Sequence, residues 1–354
     1  MTDLFVKVKA QLENQLPFVV YAKPKADRMI GVFQGNDDLY FVEDFSEKGF
    51  VFAPFDGDLI PYIPQAESEV YVEKIKETDF LIAPNPIIET DEVAKTDFEA
   101  LVTAGIDAIG QGAFEKVVLS RKMMVAVPSF ELETVFNKLV AFYPTAFKYC
   151  FFHPKIGMWA GASPEQFLKI NQETLQTVAL AGTQAVTDSD QLVWQEKEIK
   201  EQQLVTDFIT QSLADKVLEL TVSSPYSVQA GNLWHIKTDI AATIGSDSNL
   251  EEIIKALHPT SAVCGLPKAA AKDFILQNES YDRSYYSGFL GELNIDLATF
   301  RTEQSDLFVN LRCMKIDGKQ AELFVGCGIT KDSDPESEFI ETVNKSMTMR
   351  KVLS

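Results

Sequence analysis

The chain has 354 residues, 46% of them hydrophobic, with 25 Phe, which is enough for a large core and allows one to three domains. Asp and Glu (52) outnumber Lys and Arg (32), and the net charge of −20 argues against binding nucleic acid or an anionic membrane through a basic surface. No apolar run approaches the roughly 20 residues of a membrane span, and the N-terminal MTDLFVKVKAQLENQLPF is too mixed and charged for a signal peptide, so a cytoplasmic protein is expected.

Residues 1 to about 95 carry short alternating runs, FVVYAKP, MIGVFQG, LYFVEDF and KGFVFAPF, separated by turn residues, and read as short strands in tight loops. APNPIIETDEVAKTDF reads as a loop running into a helix start. Helices are then expected at 97–112, 131–142, 191–217, 249–257, 267–277 and 335–350. Strands are expected at KVVLSRKMMVAV, AFKYCFFHP, GMWAGAS, QFLKI, TLQTVALAG, SGFLGEL, DLFVNLRCMKI and AELFVGCGI. Strands dispersed among helices, without strict βαβ alternation, predict an α+β fold with large mixed or antiparallel sheets. Cys150, Cys264, Cys313 and Cys327 show no C-x-x-C spacing and are expected as buried free thiols. His153, His235 and His258 lie too far apart in sequence to suggest a zinc site. No glycine-rich phosphate-binding motif is present, so a nucleotide cofactor has no support.

Two Glu-x-x-Glu pairs stand out, Glu198 with Glu201 and Glu338 with Glu341. Each lies in a predicted helix, so each places two carboxylates on one face, a turn apart. Glu201 shares its stripe with Leu204, Val205 and Phe208, where an ionised acid is costly unless something positive meets it. Two readings stand side by side. The pairs converge on a hard cation such as Mg²⁺, which takes oxygen ligands and keeps several waters. Alternatively they are solvated helix faces, with Glu341 and Lys345 a simple i,i+4 ion pair.

The segments KVVLSRK, GASPEQFLKI, TVALAGTQ, KEIKEQQLV, LHPTSAVCGLPK, YDRSYYSGFLGEL, NLRCMKI, LFVGCGI and DPESEFIETVNK occur in this order. Together, over about residues 97–354, they resemble the chorismate-utilising enzymes: isochorismate synthases, salicylate synthases, and the large subunits of anthranilate and aminodeoxychorismate synthases. The resemblance implies the anthranilate synthase component I-like fold, an α/β sandwich within the α+β class. It also implies a single chorismate-utilising domain over 1–354, with 1–95 as its variable β-rich part and 97–354 as the catalytic core. Mg²⁺ and chorismate are the implied cofactor and substrate.

Members of that family differ in the nucleophile they add. Aminodeoxychorismate synthases carry a Lys just before the Gly of the AGT motif; here that position is Ala181. Anthranilate synthases read PIAGT followed by a DLIRNDL-like helix, whereas this chain reads ALAGT and KEIKEQQLVTDFI, which is similar to isochorismate synthases. Those enzymes add water. The resemblance then implies Lys116 as the base that takes a proton from water attacking C2. That role needs an unprotonated amine, which burial or nearby cations favour. Glu165 is implied as the acid that protonates the departing C4 hydroxyl, which needs a raised pKa. Taken without the resemblance, both residues read as an exposed strand Lys and a loop Glu.

By the same resemblance Glu201 and Glu341 are the direct metal ligands, with Glu198 and Glu338 supporting them. Arg312 is implied to hold the enolpyruvyl carboxylate through its fork. Gly182 and Gly326 let backbone N–H groups approach the substrate. Lys345 helps hold a carboxylate, Tyr286 lines the pocket, and His235 lies near the ring. Isochorismate synthase is the expected activity, serving menaquinone or catechol siderophore synthesis. The alternatives are a salicylate synthase, which also eliminates pyruvate, and an amidotransferase-dependent, anthranilate synthase-type subunit. A monomer without an obligate glutaminase partner is expected.

Overall fold

The computed structural model describes residues 3–76, 80, 91–185, 192–230, 233–245 and 248–354. The loop expected at 83–90 and the first residue of the helix expected at 191 lie outside these.

Among the described residues, two large antiparallel sheets carry the fold. The first sheet runs, edge to edge, through Gly265–Leu266, Lys116–Ala126, Gln320–Ile329, Cys313–Asp317, Gly157–Ser163, Phe147–His153, Phe18–Ala22, Arg28–Gln34 and Ser68–Lys74. The second runs through Glu219–Val222, Leu233–Thr243, Thr174–Ala185, Gln166–Asn171, Gln304–Val309, Phe289–Leu293, Gly49–Ala53, Pro61–Pro64 and Tyr40–Phe41; Tyr226–Ala230 adds to Leu233–Thr243. N-terminal strands enter both sheets. Phe18–Ala22 pairs with Phe147–His153, and Gly49–Ala53 pairs with Phe289–Leu293.

An aromatic-rich layer joins the sheets face to face. Tyr21, Phe147, Tyr149, Phe151 and Trp159 of the first sheet meet Phe50, Phe52, Leu290 and Phe308 of the second. Phe52 stacks on Phe151 at 4.3 Å, and Phe147 on Phe308 at 4.4 Å between ring centroids. Rings of this size bury the most apolar area per residue and fix the spacing of the layers.

Helices cover the outer faces, and the six expected helices form with boundaries shifted by a few residues. Glu196–Leu213 packs on Thr174–Ala185 of the second sheet, presenting Val205, Ile209 and Leu213 to the core. Pro335–Leu353 packs on Gln320–Ile329 of the first sheet and on the helix Glu92–Gly110. Start signals are local: Asp91 accepts from Val93 N and Ala94 N, and Asp334 accepts from Ser337 N with a proline following.

Three expectations need correction. Asp3–Glu13 is a helix, burying Leu4, Phe5 and Val8, where only strands were expected in the N-terminal part. Leu233–Thr243, absent from the expected strands, is a long strand whose buried positions Ile236, Thr238, Ile240 and Ala242 alternate. DLFVNLRCMKI is not one strand. Gln304–Val309 belongs to the second sheet and Cys313–Asp317 to the first, so the chain changes sheets over Asn310–Arg312. Asn310 anchors that crossing: its Oδ1 accepts from Tyr149 OH at 2.6 Å and its Nδ2 donates to Tyr285 O at 2.8 Å. All four cysteines are buried and free. Among the described residues no helix is long and apolar enough to cross a membrane.

Candidate active site

The crossing between sheets places Arg312 with φ of 48°. From there it interacts electrostatically with Glu165, Glu341 and Tyr286. Those three residues come from the second sheet's Pro164–Gln166 corner, the helix on the first sheet, and the loop before Phe289. The candidate site therefore lies where the chain crosses between the two sheets, beside the helix Pro335–Leu353.

Lys116 opens the strand Lys116–Ala126 and is only 5% exposed. Its Nζ donates to Glu201 Oε1 at 2.7 Å. The cation that the apolar stripe of Glu201 called for is thus Lys116, from a strand 85 residues away in sequence. Burial of the lysine is as expected; the charge facing it is a carboxylate, not a cation. Its stem runs past Gly328, where an added Cβ would stand 3.1 Å from Lys116 Cε. Gly328 was not singled out from sequence. The signal was its position two residues after Gly326, on the same strand face.

Glu165 is half-buried and faces Lys116 and Arg312. Loss of hydration pushes its carboxyl up from 4.5 to about 7, and the two cations only partly offset that. Its backbone is tied at both ends, with Ser163 Oγ accepting from Glu165 N at 3.4 Å and Glu165 O accepting from Val309 N at 3.0 Å.

Gly182 sits at a bulge in the pairing of Thr174–Ala185 with Leu233–Thr243, with φ of 71°. An added Cβ there would stand 3.1 Å from Glu198 Cβ, so a side chain at this point meets both backbone strain and the helix. His235 hydrogen-bonds the Gly182 backbone, and burial holds its pKa below the ordinary value. Gly326 is equally closed to substitution, since its Cβ would meet Leu119 O at 2.8 Å and Tyr286 OH at 2.9 Å. Tyr286 is 4% exposed and stacks on Phe324, and burial raises its pKa. Lys345 Nζ donates to Gly326 O at 2.8 Å and meets Glu341 Oε1 at 2.6 Å. The i,i+4 pair suggested by spacing is therefore present, and it also ties the helix to the glycine strand.

The acids have distinct local partners. Glu201 pairs with Lys116 and Glu341 with Lys345. Glu198 closes a capping box, its Oε2 accepting from Gln195 N at 2.9 Å. Glu338 hydrogen-bonds Cys327. Among the described residues no three His, Cys, Asp or Glu side chains gather closely enough to hold an ion. The donor set is nevertheless all carboxylate, supplied by two helices. It suits a hard ion that takes one or two protein oxygens and fills its remaining positions with water and substrate.

A second layer, not singled out from sequence, fixes the strand that bears Lys116. Glu279 Oε1 accepts from Ser120 N at 2.7 Å and from Ser120 Oγ at 2.9 Å. Arg283 Nε donates to Glu279 Oε2 at 2.8 Å, its Nη1 to Val263 O at 2.9 Å, and its Nη2 to Val118 O at 2.7 Å. Both side chains are 2% exposed. The i,i+4 spacing of Glu279 and Arg283 was the available signal.

Residues 60–354 match the family described as chorismate binding enzymes. The chain belongs to that family. Its relatives include the isochorismate synthase EntC of Escherichia coli K12, 30% identical over 271 residues, covering 73% of this chain and 67% of that protein. The salicylate biosynthesis isochorismate synthase of Pseudomonas aeruginosa is 32% identical over 270 residues, covering 73% of this chain and 55% of that protein. This chain therefore spans little more than half the length of the Pseudomonas relative. Among solved structures, the menaquinone-specific isochorismate synthase MenF of Escherichia coli superimposes with a TM-score of 0.79 over 96% of this chain and 89% of that one, at 22% identity. That likeness establishes the fold of the chorismate-binding family for the chain, and with it the α+β sandwich.

Proposed function

We propose that this chain is an isochorismate synthase, adding water at C2 of chorismate and expelling the C4 hydroxyl. The observation that carries the reading is the placement of Glu165 within electrostatic reach of Lys116 and Arg312, with loss of hydration pushing its carboxyl up to about 7. An acid that holds its proton near neutral pH can deliver it to a leaving hydroxyl. The relatives from Escherichia coli and Pseudomonas aeruginosa are isochorismate synthases, which supports the same activity.

In this reading Arg312 receives the enolpyruvyl carboxylate, and Lys345 with the backbone at Gly182 and Gly326 orients the substrate. Tyr286 and His235 wall the ring. Lys116 takes a proton from the attacking water at its Nζ, and Glu165 gives one to the C4 oxygen. Glu201 and Glu341 would hold Mg²⁺, with Glu198 and Glu338 in support. The bound ion supplies a positive counter-charge for the ring carboxylate of chorismate. Glu201, paired with Lys116 in the structure, would be shared between that lysine and the ion, and Lys116 would be the base for the water. Ala181 offers no amine where the covalent route needs one, so water is the available nucleophile. A single 1–354 domain acting as a cytoplasmic monomer completes the proposal.

The test is incubation with chorismate in ¹⁸O-water with Mg²⁺ and neither glutamine nor ammonium. Isochorismate carrying one label is the expected product, and the reverse reaction should reach the same final ratio. An aminated ring, or pyruvate released in step with chorismate loss, would replace this activity with a sister one.

A further inference from the structure

A small cavity is lined in part by Glu165. Its volume is about 10 Å³. Glu165, Thr177, Leu180, Val205, Thr260 and Ser261 are among its walls. Most of the lining is apolar or already satisfied; Thr177 Oγ1, for example, donates to Phe167 O at 2.8 Å. Thr260 and Ser261 differ. Their hydroxyl oxygens are buried and have no hydrogen-bond partner among the described residues. Ser261 as a whole is 1% exposed. A buried hydroxyl without a partner is costly, and two on the lining of one cavity are unusual in a folded protein.

Size and chemistry point to one occupant. A cavity of roughly 10–15 Å³ on this measure holds one water, and such a water needs two to four polar partners. Two hydroxyls and a carboxyl supply three. We infer that this cavity holds a single ordered water that joins the hydroxyls of Thr260 and Ser261 to the Glu165 carboxyl, and that Thr260 and Ser261 are positioning residues for the proton donor. The water donates to the carboxyl oxygen that faces the cavity. That oxygen is then the acceptor, so the carboxyl proton stays on the other oxygen, toward Lys116, Arg312 and the substrate. The same contact limits rotation of the carboxyl group. This inference rests on Glu165 being the acid of the proposed reaction.

Two measurements test it. A crystal structure of the wild-type protein, at a resolution that shows ordered water, should have density within hydrogen-bond distance of Thr260 Oγ1, Ser261 Oγ and Glu165. The double variant Thr260→Val with Ser261→Ala keeps the side-chain volume nearly constant and removes both hydroxyls. It should lose that density and lower kcat about tenfold with KM nearly unchanged, since one lost hydrogen bond of this kind is worth about that factor. Thr260→Ser, which keeps the hydroxyl, should keep both water and kcat. A dry cavity, or hydroxyls bonded to protein groups, overturns the inference. So does a double variant with full kcat, or a Thr260→Ser variant that loses as much as Thr260→Val. A wild-type protein that leaves chorismate unchanged removes the acid role of Glu165 and the positioning role with it; the density still reports separately on the water.

Discussion

Lys116 Nζ and Glu201 Oε1 stand 2.7 Å apart, joining the first residue of a strand in one sheet to the inner face of the helix that covers the other sheet. In the proposed reaction each member of this pair has a further task, the lysine as base and the glutamate as metal ligand. Their contact makes the two tasks interdependent.

Lys116→Ala should lower isochorismate formation by about 10²-fold or more, because it removes proton transfer. Folding should survive: the Glu201 side chain left behind is 28% exposed and can be hydrated. Turnover close to wild type in a spectrophotometric chorismate assay, with an unchanged melting temperature, would falsify the base assignment.

EDTA should abolish activity and Mg²⁺ restore it. Glu201→Gln and Glu341→Gln should each weaken Mg²⁺ binding about tenfold or more, read as a calorimetric Kd and as the Mg²⁺ needed for half-maximal rate. Unchanged titrations in both variants would return these acids to the role of lysine partners alone.

The pH dependence follows from Glu165, whose carboxyl is raised from 4.5 to about 7 by loss of hydration. Because the folded state prefers the protonated form, the stability contribution is fully present below about 4.5 and is lost as pH rises through about 7. Glu165→Gln cannot ionise, so its melting temperature relative to wild type should be higher at pH ~8 than at pH ~5. Activity should move the same way, with kcat/KM falling above about pH 7 as the proton donor is lost. A flat profile from about pH 6 to about pH 9 contradicts the acid role.

Breaking the Glu279–Arg283 pair should be costly, since both side chains are 2% exposed. Arg283→Met leaves Glu279 buried with the hydrogen bonds from Ser120 but without its cation, and should destabilise by about 3–5 kcal/mol, measured by urea unfolding. Because Arg283 also holds Val118 O, two residues from Lys116, activity should fall even at temperatures where the variant stays folded. Wild-type stability would show that the pair contributes little to the strand.

Much of this protein was readable in its linear order. Helices were legible from their periodicity, whereas the capping side chains of Asp91, Asn249 and Asp334, which accept from the first free N–H groups, mark the starts more closely: the helix expected from 97 begins at Glu92. The alternation in Leu233–Thr243 and the Leu4, Phe5 and Val8 spacing of Asp3–Glu13 are local signals of the same kind. The ordered motifs implied the family, which residues 60–354 match.

Distance and environment were not readable. DLFVNLRCMKI contains no glycine or proline to mark a break. It divides between two sheets because Asn310 is held by Tyr149 and Tyr285, and that crossing turns Arg312 toward Glu165. Whether Glu201 faced solvent, a metal or a cation depended on Lys116, which arrives from another sheet. The raised pKa of Glu165 and the paired hydroxyls of Thr260 and Ser261 likewise depend on what is packed around them. Sequence by itself determined which chemical groups are present and where regular structure starts and stops, since both follow from residue type and local spacing. Only the tertiary structure decided which groups meet and how much water each keeps, because burial and long-range pairing are properties of the assembled sheets.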